Sequence, residues 1–194
     1  MSSEETKTSN ILLSIDIGKK NLGYCLYGGD VFEFGNLNIT EYLKQHKLKE
    51  NLHNRNLIII KYIDEIRKHF EIKTLVVEQQ IMHNVVAMCL QSCLSSYCIC
   101  NKLDYIQFHA ASKFTFTGDK YNSKTKEHKK LAVAYAKRII AKLNPKKLET
   151  FAQHRKQDDI GDAICMALIS SDYDKGDLKN IMRGEWVSHF LFFV

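Results

Sequence analysis

Residues Ile11–Ile17 read ILLSIDI, an almost continuous apolar run with one acid near its end. Such a run is typical of a β-strand that is buried on both faces and lies in the middle of a sheet. Two shorter β-type runs follow, Leu22 to Tyr27 and Val31 to Phe34, separated by residues 28–30, which read GGD. Glycine and aspartate between two such runs indicate a hairpin. We therefore expect the first three strands to be antiparallel neighbours.

The rest of the chain alternates between helical and strand-like patterns. We predict helical structure within Thr40 to Phe70, and then a strand at Thr74 to Val77, a helix at Asn84 to Cys100, a strand at Tyr105 to Phe108, a basic loop at Lys113 to Lys130, and helices at Leu131 to Leu143 and Asp158 to Ser170. Strands before and after crossover helices imply an α/β protein with a mixed five-stranded sheet and helices on both faces. This is the element order of the RNase H-like fold.

Length and composition favour one domain. The 194 residues, 45% of them hydrophobic, suffice to bury one core and fall below the length at which a second domain is expected. We expect a frayed, flexible tail over residues 1–10, the domain over residues 11–172, and a C-terminal extension of unknown role over residues 173–194. The formal net charge of +6 favours a polyanion such as nucleic acid as partner.

Composition also bears on the compartment. The six cysteines lack the spacing of a zinc site, which favours reduced thiols in a cytosolic protein. The first ten residues lack the apolar core of a signal peptide. No run approaches the roughly 20 apolar residues that span a bilayer. We expect a soluble protein in a reducing compartment.

Four carboxylates stand where an apolar strand ends or a helix begins: Asp16, Glu78, Asp159 and Asp162. Burying an unpaired carboxylate is costly, so each needs a hydrogen-bonding partner, a cation or an exposed position. A single acid at a strand end is more often a turn or cap, and acids at a helix start are favoured by the helix dipole alone. Two acids ending the most hydrophobic strands, plus an i, i+3 pair opening a helix, rarely combine by chance. The combination predicts a shared function.

Paired magnesium ions suit these acids. Hydrolysing a phosphodiester requires neutralising the charged transition state and producing hydroxide near neutral pH, and two Mg²⁺ ions about 3.5–4 Å apart do both. Magnesium takes oxygen ligands and keeps several waters. We therefore predict two Mg²⁺ per site, with Mn²⁺ as a substitute, held by Asp16, Glu78, Asp159 and Asp162.

Helix geometry favours Asp159 over Asp158 as the first acid of the pair. A helix advances about 100° per residue, which places five apolar residues on one arc facing the sheet. Asp159 lies closer to this arc than Asp158, and it shares a face with Asp162. We expect Asp158 to be exposed or to cap the helix. The apolar arc consists of Ile160, Ala163, Ile164, Ala167 and Leu168.

The acidic motifs resemble those of RuvC-type junction nucleases, which have a first-strand Asp followed by glycine, a fourth-strand Glu, and a final helix opening D-x-x-D-A. Here they read DIG from Asp16, Glu78, and DIGDA from Asp159. The longer strings SIDIGKKNLGY and HRKQDDIGDAICMAL resemble the poxvirus Holliday junction resolvases. The resemblance runs from about Ile11 to Ile169. The short motifs are weak separately and strong in this order and spacing.

This resemblance implies a homodimeric endodeoxyribonuclease of the RNase H-like superfamily that cuts four-way DNA junctions by paired nicks. It would resolve concatemeric viral replication intermediates in the cytoplasm of the infected host cell. The family also uses a lysine near the site. Spacing does not choose among the candidates, and we favour Lys126, with Ser123 as the N-cap that places it in a first helical turn. The candidates are Lys120, Lys124, Lys126, Lys129 and Lys130.

Basic residues flank every acidic motif. Side chains that neutralise phosphates release counterions and dominate nucleic-acid affinity, although a charge run is usually only a solvated face. Nothing in the sequence predicts base readout, and recognition of junction shape would not require it. The predicted DNA contacts are Lys19, Lys20, Lys113, Lys120, Lys124, Lys126, Arg155 and Lys156.

Two apolar segments have open roles. The helix predicted over residues 83–100 carries small residues, including Ala87 and Cys93, that allow close helix approach. It is either an ordinary sheet-covering helix or, as in RuvC relatives, the dimer interface. Phe114 and Phe116 could form an edge strand or stack on bases, and we favour core packing.

Three other functions compete with junction cleavage. Residues 16–23, DIGKKNLG, resemble the phosphate-binding turn of actin/Hsp70-like ATPases, but those enzymes need two such domains. A non-catalytic RuvC-like or YqgF-like binding module would be expected to lose acids, and all four are present. Another nuclease of the same fold, such as an RNase H or an integrase, is distinguished from a resolvase only by the resemblance.

Overall fold

The central sheet determines where the candidate site lies. The structure is a computed structural model, and it describes residues 10–18, 20–80, 84–119 and 125–185. The five strands are β1 (Ile11–Ile17), β2 (Asn21–Gly28), β3 (Val31–Asn38), β4 (Ile72–Glu78) and β5 (Asp104–Phe108). They are arranged in the order β3-β2-β1-β4-β5. The first three are antiparallel neighbours, whereas β4 runs parallel to both β1 and β5. The predicted mixed sheet and hairpin are confirmed.

Helices cover both faces of this sheet, as predicted. The helices in the described residues are α1 (Ile39–Gln45), α2 (Leu52–Arg67), α3 (Val85–Asn101), α4 (Ser112–Thr117), α5 (Thr125–Leu143), α6 (Lys147–Gln153), α7 (Gln157–Ser170) and α8 (Lys175–Arg183). One apolar cluster joins the sheet to α1, α2 and α3, and a second joins it to α4 through α8. No helix in the described part of the chain is long and apolar enough to cross a membrane.

Strand β1 supplies side chains to both clusters. Leu13 and Ile15 pack in the cluster of α1, α2 and α3, whereas Leu12 packs in the other cluster. Ser14 faces α7, because its hydroxyl donates to the backbone oxygen of Ala163 at 2.6 Å. Successive strand residues alternate between faces, so Asp16 points to the same side as Ser14. This alternation aims the acid of β1 at helix α7.

The predicted basic loop from Lys113 to Lys130 is wrong. Residues Ser112–Thr117 form α4, which ends at Gly118 in the left-handed conformation (φ 82°) that favours glycine at a helix end. Helix α5 already begins at Thr125. Phe114 is 1% exposed within the core, so the edge-strand alternative is wrong and core packing is confirmed. Burial outweighs the β-propensity of Phe and Thr here.

Besides α4, two further helices were not anticipated. Helix α6 follows Pro145 and buries Phe151, and α8 lies within the segment treated as a C-terminal extension. Three residues of α8 (Leu178, Ile181 and Met182) are buried in the same cluster as α7. The domain boundary at residue 172 stays a prediction. Trp186 and the final apolar residues lie outside the described residues.

Candidate active site

Asp16 and Glu78 meet at one edge of the sheet. Strands β1 and β4 are parallel, with Ile15 opposite Val77, so the next residue of each strand is one of the two acids. Asp16 is 8% exposed and Glu78 is half-buried. Their carboxyl groups lie within hydrogen-bond reach of each other. Two carboxylates so close and so poorly hydrated require a proton or a cation between them.

Helix α7 approaches this edge because small residues let its backbone lie against the sheet and α5. A Cβ atom on Gly23 of β2 would lie 2.3 Å from the backbone oxygen of Asp159. A Cβ on Gly161 would lie 2.9 Å from the backbone oxygen of Ala132 in α5. The glycines therefore permit contacts that other residues would block. The first turns of α7, with Asp159 and Asp162, are carried to the end of β1.

The four carboxyl groups at this edge have pKa values above their usual range, and burial is the largest cause in each case. Burial raises the pKa of Asp16 well above its usual range, and the charges of Glu78, Asp162 and Asp159 add to the effect. Burial also raises the pKa values of Asp162 and Glu78, with Lys113 opposing the shift in both cases. The pKa of Asp159 is raised by burial and by its neighbour Asp158. The negative charge gathered here exceeds what the neighbouring cation compensates.

Lys113 supplies that cation. Its side chain is buried, and its ammonium forms an ion pair with the Asp162 carboxylate. Burial alone would lower the pKa of Lys113, but Asp162 and Glu78 together hold it above the ordinary value. Lys113 was predicted to contact DNA; its side chain lies in the interior against Asp162, and a contact with DNA stays a prediction. The available clue was its place shortly after β5, whose carboxyl end lies at the same sheet edge.

Asp158 pairs with a different lysine. Its carboxylate forms an ion pair with the half-exposed ammonium of Lys129 in α5. Burial raises the pKa of Asp158, but Lys129 outweighs this and the pKa is lower than usual. The N-cap position of α7 is Lys156, so Asp158 does not cap the helix. It is partly buried and paired, not exposed.

The predicted basic residues fall only partly within the described residues. Lys20, Arg155 and Lys156 line a groove beside the first turn of α7. Lys19, Lys120, Lys124 and the predicted N-cap Ser123 lie outside the described residues. Residue 126 is in the first turn of α5, and the position of its side chain is not described. The assignment of Lys126 as the catalytic lysine stays a prediction.

The donor set can be tested against a magnesium site. Among the described residues no three carboxylate, imidazole or thiol groups converge closely enough to enclose one ion. Magnesium does not demand this, since it is usually held by one or two carboxylates and completes its shell with water and substrate phosphate. The donors are oxygens from separate elements, and their charge is under-compensated. The site fits Mg²⁺ in its ligand chemistry and charge.

Comparison with known proteins identifies the family to which the chain belongs. The sequence model of the poxvirus A22 protein family matches residues 10–171, most of the chain. The chain belongs to the poxvirus A22 protein family. This is a family of Holliday junction resolvases, nucleases that act on DNA junctions, so the predicted resemblance is confirmed. RuvC-like resolvases are divalent-metal dependent. No curated protein sequence matches the chain.

Solved structures of resolvases share the fold of this A22-family chain. The yeast mitochondrial Holliday junction resolvase Ydc2 is similar with a TM-score of 0.58 and 18% identity, over 91% of this chain and 83% of Ydc2. The RuvC structure of Thermus thermophilus is similar with a TM-score of 0.53 and 13% identity, over 90% of this chain and 95% of RuvC. At these identities the likeness establishes the RuvC-like, RNase H-like fold.

Proposed function

We propose that this protein resolves four-way DNA junctions by magnesium-dependent paired nicking. The observation that carries the proposal is the convergence of Asp16, Glu78 and Asp162 around the Lys113 ammonium at the carboxyl edge of the central strands. This constellation occurs in a chain of the poxvirus A22 protein family. Oxygen ligands for divalent cations, with a fixed positive charge beside them, suit hydrolysis of a phosphodiester.

The acids divide into a deeply placed pair and a helix-borne pair. Asp16 and Glu78 are fixed by the sheet, whereas Asp159 and Asp162 lie three residues apart, about one helical turn, on α7. We assign all four to two Mg²⁺ ions, for which Mn²⁺ can substitute. Bound at these oxygens, the ions supply charge neutralisation at the phosphate and lower the pKa of the attacking water. The four carboxylates would hold the ions at the sheet edge.

We assign to Lys113 the role of a catalytic lysine, for which the sequence alone favoured Lys126. Its Nζ is fixed by Asp162 and is influenced by Glu78, so its charge faces the carboxylates at which the ions would bind. An ammonium held there stabilises a phosphate oxygen as negative charge accumulates on it. The carboxylates of Asp162 and Glu78 hold the pKa of Lys113 above its ordinary value, which favours a role as a fixed positive charge.

A homodimer would provide the second active site that paired nicking needs. Helix α3 turns a stripe of small and apolar side chains to solvent, and Val85, Met88 and Ile99 are 65%, 37% and 77% exposed. Exposed Ser92 lies between them. Residues 85, 88, 92 and 99 have the alternating spacing of three and four (or seven) that lines one helix face. Two-fold dimers form through self-complementary contacts, and this face of α3 is our candidate for such a contact.

The proposed setting follows from the family. A member of a poxvirus family would act at viral replication sites in the host cytoplasm, on concatemeric intermediates with four-way junctions. All six cysteines are free thiols, which suits a reducing compartment. Resolution of such intermediates joins replication to recombination and repair.

Substrate competition tests the proposal against its alternatives. The protein is incubated in Mg²⁺ with a four-way junction, a linear duplex of the same sequence and an RNA/DNA hybrid. We expect symmetrical nicks in the junction and little cleavage of the other two. Preferential cleavage of the hybrid would indicate an RNase H activity. Tight junction binding without cleavage would favour the binding-module alternative, and ATP hydrolysis without cleavage the actin/Hsp70-like one.

A further inference from the structure

A polar groove of about 690 Å³ lies on the β2 and β3 side of the acidic residues. We call it the basic groove and define it by four cations and two neutral polar residues. Lys44, Asn36 and Thr40 were not anticipated from the sequence. The six residues are Lys20, Lys44, Arg155, Lys156, Asn36 and Thr40.

Strand register relates the basic groove to the active site. Asp16 of β1 pairs with Gly23 of β2, and Gly23 pairs with Asn36 of β3. Paired residues point to the same face, and neighbouring strands lie about 4.8 Å apart, so Asn36 lies roughly 10 Å from Asp16. Lys156, at the start of α7, acts electrostatically on Asp159. A nucleic-acid strand bound at the acids would enter the basic groove with its adjoining nucleotides.

Two polar atoms beneath the groove have no hydrogen-bond partner among the described residues. They are Nδ2 of Asn36 and Oγ1 of Thr40. Buried polar groups are normally satisfied, so each unsatisfied group calls for a partner that is not part of the chain. A half-turn of the Asn36 amide or a rotamer change of Thr40 presents the donor to the groove. Both residues can then donate to an acceptor-rich ligand.

The charge of the groove favours an anion. Its four cations form no ion pair within the described part of the chain. The opposing acid is Glu41, which also lines the groove and accepts a hydrogen bond from Asn38 Nδ2 at 3.2 Å. Three positive charges remain in excess. Phosphate oxygens match both this charge and the two donors.

We propose that the basic groove binds the phosphodiester backbone of the strand being cut, one to a few nucleotides from the scissile phosphate. Asn36 and Thr40 are positioning residues that donate to its phosphate oxygens, while Lys20, Lys44, Arg155 and Lys156 neutralise it. The inference rests on the proposed function, since it assumes that a DNA strand is bound at the acids. It adds a register: the groove fixes which phosphate reaches Asp16 and Asp162.

Single neutral phosphates test this contact directly. Four-way junctions carrying one methylphosphonate at successive positions around the cut are bound in Ca²⁺ by the unmodified protein, by Asn36→Leu with Thr40→Val, and by Lys44→Gln. Lys61→Gln on the exposed face of α2 and Thr74→Val at the opposite end of β4 are matched controls. Thermal unfolding verifies that each variant folds. If the Asn36 and Thr40 variant does not fold, exposed Lys44→Gln carries the test.

We expect the unmodified protein to lose about tenfold in affinity at one or two adjacent modified positions, the size of a charge-assisted hydrogen bond. The groove variants should lose about tenfold in affinity on unmodified DNA, and a methylphosphonate at those positions should weaken their binding no further. The control variants should behave as the unmodified protein does. Additive losses in the groove variants, or equal losses in the controls, overturn the inference. Because binding is measured in Ca²⁺, separately from cleavage in Mg²⁺, coupling without any cleavage retains the groove and rejects the proposed function. Cleavage without coupling does the reverse.

Discussion

Lys113 lies in the interior against the carboxylate of Asp162, at the end of the strand that carries Glu78. Burying an ammonium is tolerated here because the acids repay its lost hydration. The same acids hold its pKa above the usual value, so its positive charge persists at neutral pH. A fixed charge at this place is suited to a phosphate group that gains negative charge during hydrolysis.

Replacing this lysine should separate catalysis from binding. In Lys113→Met we expect single-turnover nicking of a four-way junction to fall roughly 100-fold or more, the loss typical of a removed electrostatic stabiliser. Junction affinity should change little, because Lys113 is buried and exposed cations supply most of the contacts to a DNA backbone. Lys129→Met, which removes the half-exposed partner of Asp158, is the control and should retain most activity. Comparable losses in the two variants would refute a special role for Lys113.

The sequence indicated that the acids form one group, but it did not indicate that Lys113 lies beside them. Asp16 and Glu78 end strands whose hydrophobicity is unmistakable, and adjacent parallel strands bring their carboxyl ends together. Lys113 depends on α4, a six-residue helix of Lys, Phe, Thr and Ser that has no helical signature. Its helical state comes from burying Phe114 and Lys113 against α7 and α8, a tertiary effect that no local pattern encodes.

At the scale of elements, the position of α7 depends on the absence of side chains at two glycines. Gly23 lies under the backbone of Asp159, and Gly161 lies against the backbone of Ala132. Contacts of this kind involve main chain on both sides, so they cannot be relieved by rotating a side chain. The acids of α7 are placed by backbone packing as much as by their own sequence spacing.

Gly23→Ala tests this dependence. The added Cβ would meet the backbone oxygen of Asp159 at 2.3 Å, which forces α7 away from β2. We expect a loss of about 1–3 kcal/mol in the free energy of unfolding, measured in urea, as for other overpacked sites. Nicking should fall as Asp159 and Asp162 move. The control is Gly176→Ala in α8, where the nearest atom is a side-chain oxygen at 3.3 Å, and we expect it to stay within about 1 kcal/mol.

A stable, fully active Gly23→Ala protein would show that α7 tolerates the shift and that its contact with β2 does not position the acids.

Elements were predicted well where burial is periodic and poorly where it is not. The strands, α3, the later part of α5 and α7 follow apolar patterns, and the apolar arc of α7 is buried as expected. Helices α6 and α8 bury one and three residues respectively, too few to create a clear period. Within Thr40 to Phe70 the helical pattern is divided in two, because Asn51 caps α2 through the backbone nitrogen of Asn54.

At the scale of the whole molecule, the question is whether α3 joins two copies of the chain. The sequence favoured Ala87 and Cys93 as interface positions, but Ala87 is 4% exposed and packs in the core. The solvent-facing residues are the larger Val85, Met88 and Ile99. An arginine at Ala87 would disturb the fold, so it cannot test assembly. Helical periodicity alone did not reveal which side of this weakly polar helix faces the sheet.

Met88→Arg and Ile99→Arg should give folded monomers, because a charge in a self-complementary contact meets its own copy. Sedimentation measures the oligomeric state, and product mapping measures whether nicks remain paired. Ile106→Arg on the β5 edge, which is exposed to the same degree as Met88 at 37%, serves as the control and should remain a dimer. If the unmodified protein sediments as a monomer, alone and on junction DNA, yet still cuts in pairs, the α3 dimer is wrong.

The most direct test of the central claim compares two neighbouring acids of α7 in single-turnover cleavage of a four-way junction with Mg²⁺. Asp162 forms an ion pair with the buried Lys113, whereas Asp158 forms one with the half-exposed Lys129 of α5. We predict that Asp162→Asn reduces nicking roughly 100-fold or more while junction affinity is kept, and that Asp158→Asn stays within a few-fold of the unmodified protein. Full activity in Asp162→Asn, or loss only in Asp158→Asn, would contradict the assignment of the active site.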